Sequence, residues 1–225
     1  MKSFLWNGLA LLPERAVWRA DTKTLFVADV HIGKGAHFRS LGVPVPSGAT
    51  RENLARLDAV IDAYGARELV VLGDLFHAPA AYRDASLGEF AAWRARRAAL
   101  TLRLVAGNHD VRAGRAPASL GLEWVEEPHW LDGVVCRHTP PEGLHVQGPP
   151  VVAGHLHPAA RLHGPGRDRL RLPCFLMRGR LLVLPAFGEF TGGAAFEADE
   201  DCALCVTAGD RLIHIPAQPR RAARR

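Results

Sequence analysis

Four stretches of this sequence share one pattern, in which a short apolar run ends in residues that carry oxygen or imidazole groups. In the clearest of them, four apolar residues, Leu69 to Leu72, run into Gly73 and Asp74. Such a run closed by Gly-Asp is typical of a buried parallel strand that ends in a tight turn. Open α/β sheets bind their ligands at these strand ends. Because one Gly-Asp alone is more often an ordinary turn, the interpretation depends on the other three stretches.

The other three stretches, LFVADVH, LRLVAGNHD and PVVAGHLH, end in the same kinds of side chain. Their polar residues are Asp29, His31, Asn108, His109, Asp110, His155 and His157. Each of these histidines alone would more often be a packed or surface residue than a ligand. Four strand ends that all deliver such groups instead indicate a metal site. Carboxylates combined with imidazoles suit manganese, iron or zinc better than an ion that binds only oxygen.

The number of ligands predicts two metal ions. The D-x-H and H-x-H pairs would each place two side chains on one face of an extended strand, where one pair could serve one ion. Together with the carboxylate of Asp74 and the amide of Asn108, two pairs exceed the capacity of one ion that must keep positions open. We therefore predict two divalent ions with a carboxylate between them.

The first half of the chain alternates strands and helices. Leu69–Leu72 and Leu102–Val105 are predicted strands, and the apolar spacing in Ser47–Tyr64 and Ser86–Leu100 predicts helices. This alternation favours a largely parallel sheet. Residues 32–48 are rich in Gly and Pro, and they predict a long loop of the kind that is often functional.

The second half predicts a different arrangement. Helical periodicity is scarce, and short apolar runs lie at residues 133–136, 150–153, 170–177, 181–184, 203–207 and 211–215. We predict a second sheet that faces the first with helices outside, in one domain over residues 1–216. Residues 217–225 have no apolar face, and we predict a disordered basic tail.

Composition limits the environments and partners of the chain. No apolar run approaches the ~18 residues of a membrane helix, so we predict no membrane association. The net charge is +5, of which Arg220, Arg221, Arg224 and Arg225 contribute four, so binding to nucleic acid must depend on local patches or on the tail. The four cysteines form no disulfide framework in a chain of this length, which fits a cytoplasmic location.

The motifs D-x-H, GD, GNHD, a lone His and GHxH occur in this order between Val27 and Pro158. In this they resemble the five motifs of the calcineurin-like metallophosphoesterase superfamily. The resemblance implies a four-layer α/β/β/α sandwich of two facing mixed sheets, with a two-metal centre at the strand ends. By position it implies Asp29, His31 and His157 at the first metal, Asp74 as the bridge, and Asn108, His138 and His155 at the second metal.

Four histidines compete for the lone-His position. They are His129, His138, His145 and His163. We favour His138 because GVVCRH ends a predicted strand, as the other motifs do, whereas His145 lies in a loop rich in Pro and Gly.

Longer phrases resemble the bacterial PdeM subfamily, the ligase-associated DNA-damage-response endonucleases. They are DVHIGKGAHFRSLGVPVPSG, GDLFH, GHLHP, RLPCF and LPAFGEFTGG. The resemblance implies a DNA phosphodiester substrate and DNA-repair partners such as a ligase or a helicase. We expect manganese as the metal, with iron or zinc as alternatives.

Two further pairs of residues complete the predicted site. His109 is expected to protonate the leaving group or to stabilise the phosphoryl oxygens. Asp110 is expected to orient the His109 imidazole and raise its pKa. Lys34 and Arg39 are expected to meet substrate phosphates, although solvated loop charges are nearly as good an explanation of both.

Three functions compete on this evidence. The first is a metal-dependent phosphodiesterase or nuclease. The second is a phosphomonoesterase or a phosphodiesterase of small cyclic or other nucleotides, which the motifs alone do not separate from the first. The third is a non-catalytic scaffold of the same fold, which the full ligand set and His109 disfavour.

Overall fold

The computed structural model describes residues 1–45, 48–78, 85–163, 169–189 and 191–218, and it contains two β-sheets. Seven strands form the first sheet in chain order: β1 (Phe4–Trp6), β2 (Leu9–Leu12), β3 (Ala16–Arg19), β4 (Thr24–Val27), β5 (Glu68–Leu72), β6 (Thr101–Val105) and β7 (Leu122–Val125). β1 to β4 pair antiparallel, and β4 to β7 pair parallel. The parallel pairing predicted for the strands that alternate with helices is therefore confirmed, although the sheet as a whole is mixed and not largely parallel. Parallel pairing brings the C-terminal ends of β4, β5 and β6 to one edge of the sheet.

The α-helices of the described residues lie between strands of the first sheet. They are α1 (Lys34–Ser40), α2 (Ala49–Tyr64), α3 (Ala85–Arg96) and α4 (Asn108–Ala113). One 3-10 turn, Ala118–Leu120, also lies there, and another, Glu142–Leu144, lies between strands of the second sheet. Leu54, Leu57 and Ile61 of α2 pack with Phe90 and Trp93 of α3 in one buried cluster with the sheet. The spacing of these residues is that of an apolar helix face, which explains why the sequence predicted both helices.

Helix α1 was not predicted. It lies inside the segment 32–48, for which the sequence predicted a loop. Gly33 precedes the helix in the left-handed conformation, with φ of 84°, and the chain is again rich in Gly and Pro after Ser40. A helix of seven residues between such breakers carries too few apolar positions to show a periodicity.

Nine strands form the second sheet. They are β8 (His129–Leu131), β9 (Val134–Cys136), β10 (Val151–Ala153), β11 (Ala159–His163), β12 (Arg169–Arg178), β13 (Leu181–Val183), β14 (Ala195–Phe196), β15 (Cys202–Ala208) and β16 (Arg211–Ile215). β9, β10 and β13 run parallel, whereas β12 pairs antiparallel with β11, β13 and β15. Every predicted apolar run contributes a strand. β8, β11 and β14 lack such a run and were missed.

Alternate residues of each strand face different layers. Phe26 and Val70 of the first sheet pack against Phe175 and Leu182 of the second, which forms the core between the sheets. The two facing mixed sheets are therefore as predicted. The outer face of the second sheet differs from the predicted helix layer. In the described part of the chain, no α-helix contributes to the apolar cluster on this face. A 3-10 turn, the short strand β14 and irregular segments cover it instead, with side chains such as Leu144, Val146, Phe196 and Ala198.

Within the described ranges, no helix has both the length and the apolar character that crossing a membrane requires.

The basic tail predicted for residues 217–225 is described only at its start. There, the N–H of Gln218 donates to the carbonyl oxygen of Asp199 at 2.8 Å. Residues 219–225 lie outside the described residues.

Candidate metal centre

The predicted ligands meet where strand ends of the two sheets face each other. Asp29 and His31 follow β4, Asp74 follows β5, and Asn108 follows β6. The second sheet contributes three histidines after β9 and β10, namely His138, His155 and His157. The structure thus brings together all seven residues predicted as metal ligands, from five strands. His138, the histidine favoured for the lone-His position, lies among them.

Five of these residues have a left-handed backbone. The φ angles are 55° at Asp29, 51° at His31, 54° at Asp74, 71° at His155 and 46° at His157. The extended-strand geometry predicted for the two pairs is therefore wrong, since both lie beyond the strand ends. Non-glycine residues in this region are strained, and they cluster at functional sites where the surrounding structure holds them. Here the N–H groups of Asp29 and His31 donate to the carbonyl oxygens of Gly73 and Asp74, at 3.1 and 2.9 Å.

Glycine at position 73 is required by the approach of His138. A Cβ atom there would overlap the imidazole ring of His138, and Gly73 also has a φ of 77°. The ring lies against this strand end, and its Nδ1 donates to the carbonyl oxygen of Leu72 at 3.1 Å. That hydrogen bond leaves Nε2 of His138 as the atom available to a metal.

Among the described residues, two groups of side chains are close enough to hold a metal ion each. In the first, Nε2 of His157 lies 3.2 Å from Oδ1 of Asp29 and 3.4 Å from Nε2 of His31. The second contains Asp29, Asp74 and His138, with Nε2 of His138 3.6 Å from Oδ1 of Asp74. Within each group the ligand atoms lie within 4.8 Å of one another.

Asn108 and His155 adjoin the second group. Oδ1 of Asn108 lies 2.9 Å and Nδ1 of His155 3.0 Å from Nε2 of His138. Their polar atoms therefore point at the same place as the ligand atom of His138. This convergence agrees with the set of residues predicted for the second metal.

Unpaired buried atoms indicate that these groups suit cations. Oδ1 of Asp29 and Nδ1 of His31 are buried without a hydrogen-bond partner in the described residues. An unpaired buried carboxylate oxygen is costly, and a bound cation removes that cost. Oxygen and imidazole donors together suit divalent ions such as manganese, iron or zinc. Asp29 belongs to both groups, so the bridging role predicted for Asp74 stays a prediction.

Two of the predicted ligand histidines are held in the form that binds metals. Burial lowers the pKa of His31 well below its ordinary value, and the positive charge of Lys34 adds to that effect. Burial and the neighbouring His138 also lower the pKa of His155. Both imidazoles are therefore neutral at neutral pH, as metal coordination requires.

Comparison with known proteins identifies the family. Residues 22–163 match the model of the calcineurin-like phosphoesterase family. The chain is also 39% identical to the Pseudomonas putida nuclease MPE, whose crystal structure superposes with a TM-score of 0.79 over 95% of this chain and 98% of that one. This chain belongs to the calcineurin-like phosphoesterase family. Yfce, a phosphoesterase from E. coli, is 20% identical, with a TM-score of 0.42 over 86% of this chain and 92% of the other. No curated protein matches the chain.

Asp110 of this phosphoesterase does not orient His109, contrary to the prediction. Its carboxylate accepts hydrogen bonds from the backbone N–H groups of Asp74, Phe76 and Gly107, at 2.6, 3.0 and 3.0 Å. Burial raises the pKa of Asp110 to about 7 despite these hydrogen bonds. The carboxyl group therefore ties the turn after β5 to the turn after β6, and so positions the loops that carry Asp74 and Asn108.

The carbonyl group of His77 orients His109 instead. Nδ1 of His109 lies 2.6 Å from that oxygen, and the rings of His77 and His109 stack with centroids 4.9 Å apart. The sequence left His77 unassigned, although its place in GDLFH, three residues after Asp74, was the available signal. Burial lowers the pKa of His77 to about 4, with a further contribution from Lys34.

The two predicted phosphate-binding residues lie in different surroundings. Lys34 is partly buried near the ligands, where burial lowers its pKa and the carboxylates of Asp29 and Asp74 oppose that shift. Arg39 is exposed and lines a groove of about 470 Å³ formed with the N-terminal ends of α2 and α3. Substrate contact stays a prediction for both, and the surroundings of Lys34 favour it.

The loop in the phrase LPAFGEFTGG also supports the site. The N–H groups of Phe187 and Gly188 donate to the carbonyl oxygens of Ala28 and Asp29, at 2.8 and 3.1 Å. Asn53 is buried beneath them, and its side chain donates to the carbonyl oxygen of Val30 at 3.3 Å. Sequence reasoning assigned these residues no role, because they act through backbone groups that are distant in the chain.

Proposed function

We propose that this phosphoesterase is a nuclease that hydrolyses DNA phosphodiester bonds with two bound divalent ions. The observation that carries the proposal is the buried, unpaired Oδ1 of Asp29, which faces imidazoles of both ligand groups. The choice of DNA rests on the 39% identity to a nuclease over 95% of the chain. Manganese is our first choice of metal, and iron or zinc are the alternatives.

The ligand assignment follows from the two groups. Asp29, His31 and His157 would hold one ion. Asp74, Asn108, His138 and His155 would hold the other, with Asp29 or Asp74 between them. Divalent ions in such a pair lower the pKa of a water molecule and neutralise charge on the phosphoryl oxygens.

The residues beside the ligands would handle the proton and the phosphate charge. A carbonyl oxygen only accepts hydrogen bonds, so Nδ1 of His109 carries the hydrogen that it donates to His77. Nε2 of His109 is then the atom that takes up and delivers a proton, and it lies 3.9 Å from Oδ2 of Asp74. In its protonated form His109 would protonate the leaving oxygen or stabilise a phosphoryl oxygen. The ammonium group of Lys34 would attract the phosphate.

An activity panel with manganese tests the proposal. Its substrates are bis-p-nitrophenyl phosphate, p-nitrophenyl phosphate, linear DNA and supercoiled DNA, each with the Asp74→Asn variant as a control for contaminating nucleases. We expect hydrolysis of the diester and of DNA by the native protein and almost none by the variant. Hydrolysis of the monoester alone would contradict the proposal and favour a phosphomonoesterase.

The cellular setting is a further part of the proposal. The similarity to ligase-associated endonucleases favours a role in DNA repair with a DNA ligase or a helicase. The four cysteines are all free and buried, which supports the cytoplasmic location predicted from the sequence. Co-purification of a ligase or helicase with the tagged protein from its own cells, resistant to nuclease treatment, tests the partnership.

A further inference from the structure

A cleft of about 510 Å³ opens beside the metal centre. His157 belongs both to the wall of this cleft and to the first ligand group. The volume lies within the range of sites that bind small organic molecules. When the first ligand group holds a phosphate, the organic substituent of that phosphate can therefore lie in the cleft.

The cleft has an apolar wall and a charged rim. Phe38 of α1 lies on the wall with Val45, Pro158 and Pro173. Phe38 is partly buried, and its ring centroid lies 6.2 Å from that of His77. An aromatic ring among apolar side chains beside a phosphate site offers a surface on which a nucleobase stacks, since every base has a π-face.

Arg171 supplies a positive charge that has no ion-pair partner within the described part of the chain. Arg15 also lines the cleft, but its Nη1 is paired with Oε1 of Glu189 at 3.2 Å. Arg56 shares that same oxygen at 2.8 Å. Arg171, near the start of β12, is exposed and forms no ion pair within the described residues. Its guanidinium group is therefore available to an anion at the rim.

We propose that this cleft is a nucleoside subsite, in which the base next to the scissile phosphate stacks on Phe38 and Arg171 binds the following phosphate of the strand. The proposal rests on the proposed function and makes it more specific. A nucleoside on the side of the phosphate that does not leave is then recognised by the cleft, whereas a small alkyl group in its place is not.

Three chromogenic diesters isolate the effect of the base. Thymidine p-nitrophenyl phosphate, as its 5′ and 3′ isomers, and methyl p-nitrophenyl phosphate all release nitrophenolate, and they differ in the group that remains on phosphorus. We expect at least one thymidine isomer to have a kcat/KM about tenfold or more above that of the methyl ester, as stacking of one base permits. Phe38→Leu keeps an apolar side chain without an aromatic ring, and it should abolish that preference by lowering kcat/KM of the thymidine esters to that of the methyl ester. Phe38→Trp should restore it.

A binding measurement without catalysis tests Arg171. The metal-free protein in a chelator is titrated with a single-stranded oligonucleotide that contains 2-aminopurine, whose fluorescence falls on stacking. Arg171→Gln should weaken binding and lower the slope of log K against log salt by about 0.7, the value for one phosphate contact on a single strand. Arg180→Gln is the matched control, because it removes the same charge beyond the other end of β12 and should leave the slope unchanged.

The outcomes distinguish failure of the proposed function from failure of the nucleoside subsite. A native enzyme that hydrolyses none of the diesters contradicts the proposed function itself. Hydrolysis with equal kcat/KM for thymidine and methyl esters, or with a preference that Phe38→Leu leaves intact, contradicts the nucleoside subsite alone. Equal slopes in the Arg171 and Arg180 variants contradict the phosphate contact and indicate general charge attraction.

Discussion

Nδ1 of His109 lies 2.6 Å from the backbone carbonyl oxygen of His77. This hydrogen bond fixes which nitrogen of His109 carries the hydrogen in the neutral ring, and it leaves Nε2 free for proton transfer. Because the partner is a backbone oxygen, substitution of the His77 side chain does not remove it. The Asp110 carboxylate, which accepts hydrogen bonds from backbone N–H groups, is thus not the acceptor that orients the His109 ring.

Substitution of His109 should separate chemistry from metal binding. We expect His109→Ala to keep both ions, while kcat falls roughly 10²–10⁴-fold, the range of a general acid–base residue. If His109 protonates the leaving group, the loss should be much larger on DNA than on bis-p-nitrophenyl phosphate, because nitrophenolate leaves without a proton. Metal analysis and kinetics on both substrates are the measurements. Equal losses would favour stabilisation of phosphoryl oxygens, and loss of an ion would make His109 a ligand.

The shared position of Asp29 predicts unequal effects of two carboxylate substitutions. Asp29→Asn should lose both ions, because Asp29 belongs to both ligand groups. Asp74→Asn should keep the first group, Asp29 with His31 and His157, and retain about one manganese ion per chain. Both variants should lose nearly all activity. The number of metal ions per chain, measured after loading with manganese, is the test. Two ions in Asp29→Asn, with fewer in Asp74→Asn, would instead identify Asp74 as the bridging residue.

Asp110 should matter for stability more than for proton transfer. Asp110→Ala would leave three buried N–H groups without acceptors, each costing about 1–3 kcal/mol, so we expect a loss of roughly 3 kcal/mol or more in the free energy of unfolding. Urea unfolding measures it. Asp210→Ala, at an exposed aspartate, is the control and should stay within about 0.5 kcal/mol. A stable Asp110→Ala variant with an altered pH–rate profile would restore the orienting role.

The metal-free protein should lose stability on acidification through His77. Its pKa is lowered from 6.5 to about 4 in the folded chain. Between these values the unfolded chain binds a proton at His77 that the folded chain does not, so the free energy of unfolding falls as the pH falls through that window. Urea unfolding in a chelator at several pH values measures this slope. His77→Gln should flatten it, and the exposed control His145→Gln should not. An unchanged slope in His77→Gln would contradict the assignment.

The sequence by itself predicted most strands of the two sheets, the family and the residues that meet at the candidate metal centre. Apolar runs such as Leu69–Leu72 and Val151–Ala153 are local signals, because a buried strand needs consecutive apolar residues wherever the rest of the chain lies. The predicted ligands were found for a related reason. Each lies within four residues of the end of its strand, so strand ends that face each other bring them together.

Only the tertiary structure decided how those groups are held and what surrounds them. Helix α1, the carbonyl partner of His109, the three hydrogen bonds of Asp110 and the cleft beside His157 depend on contacts between distant segments. Most of these contacts use backbone N–H and C=O groups, which every residue except proline carries alike. Residue identities therefore do not encode such pairings, and they follow only from the way the folded chain brings its turns together.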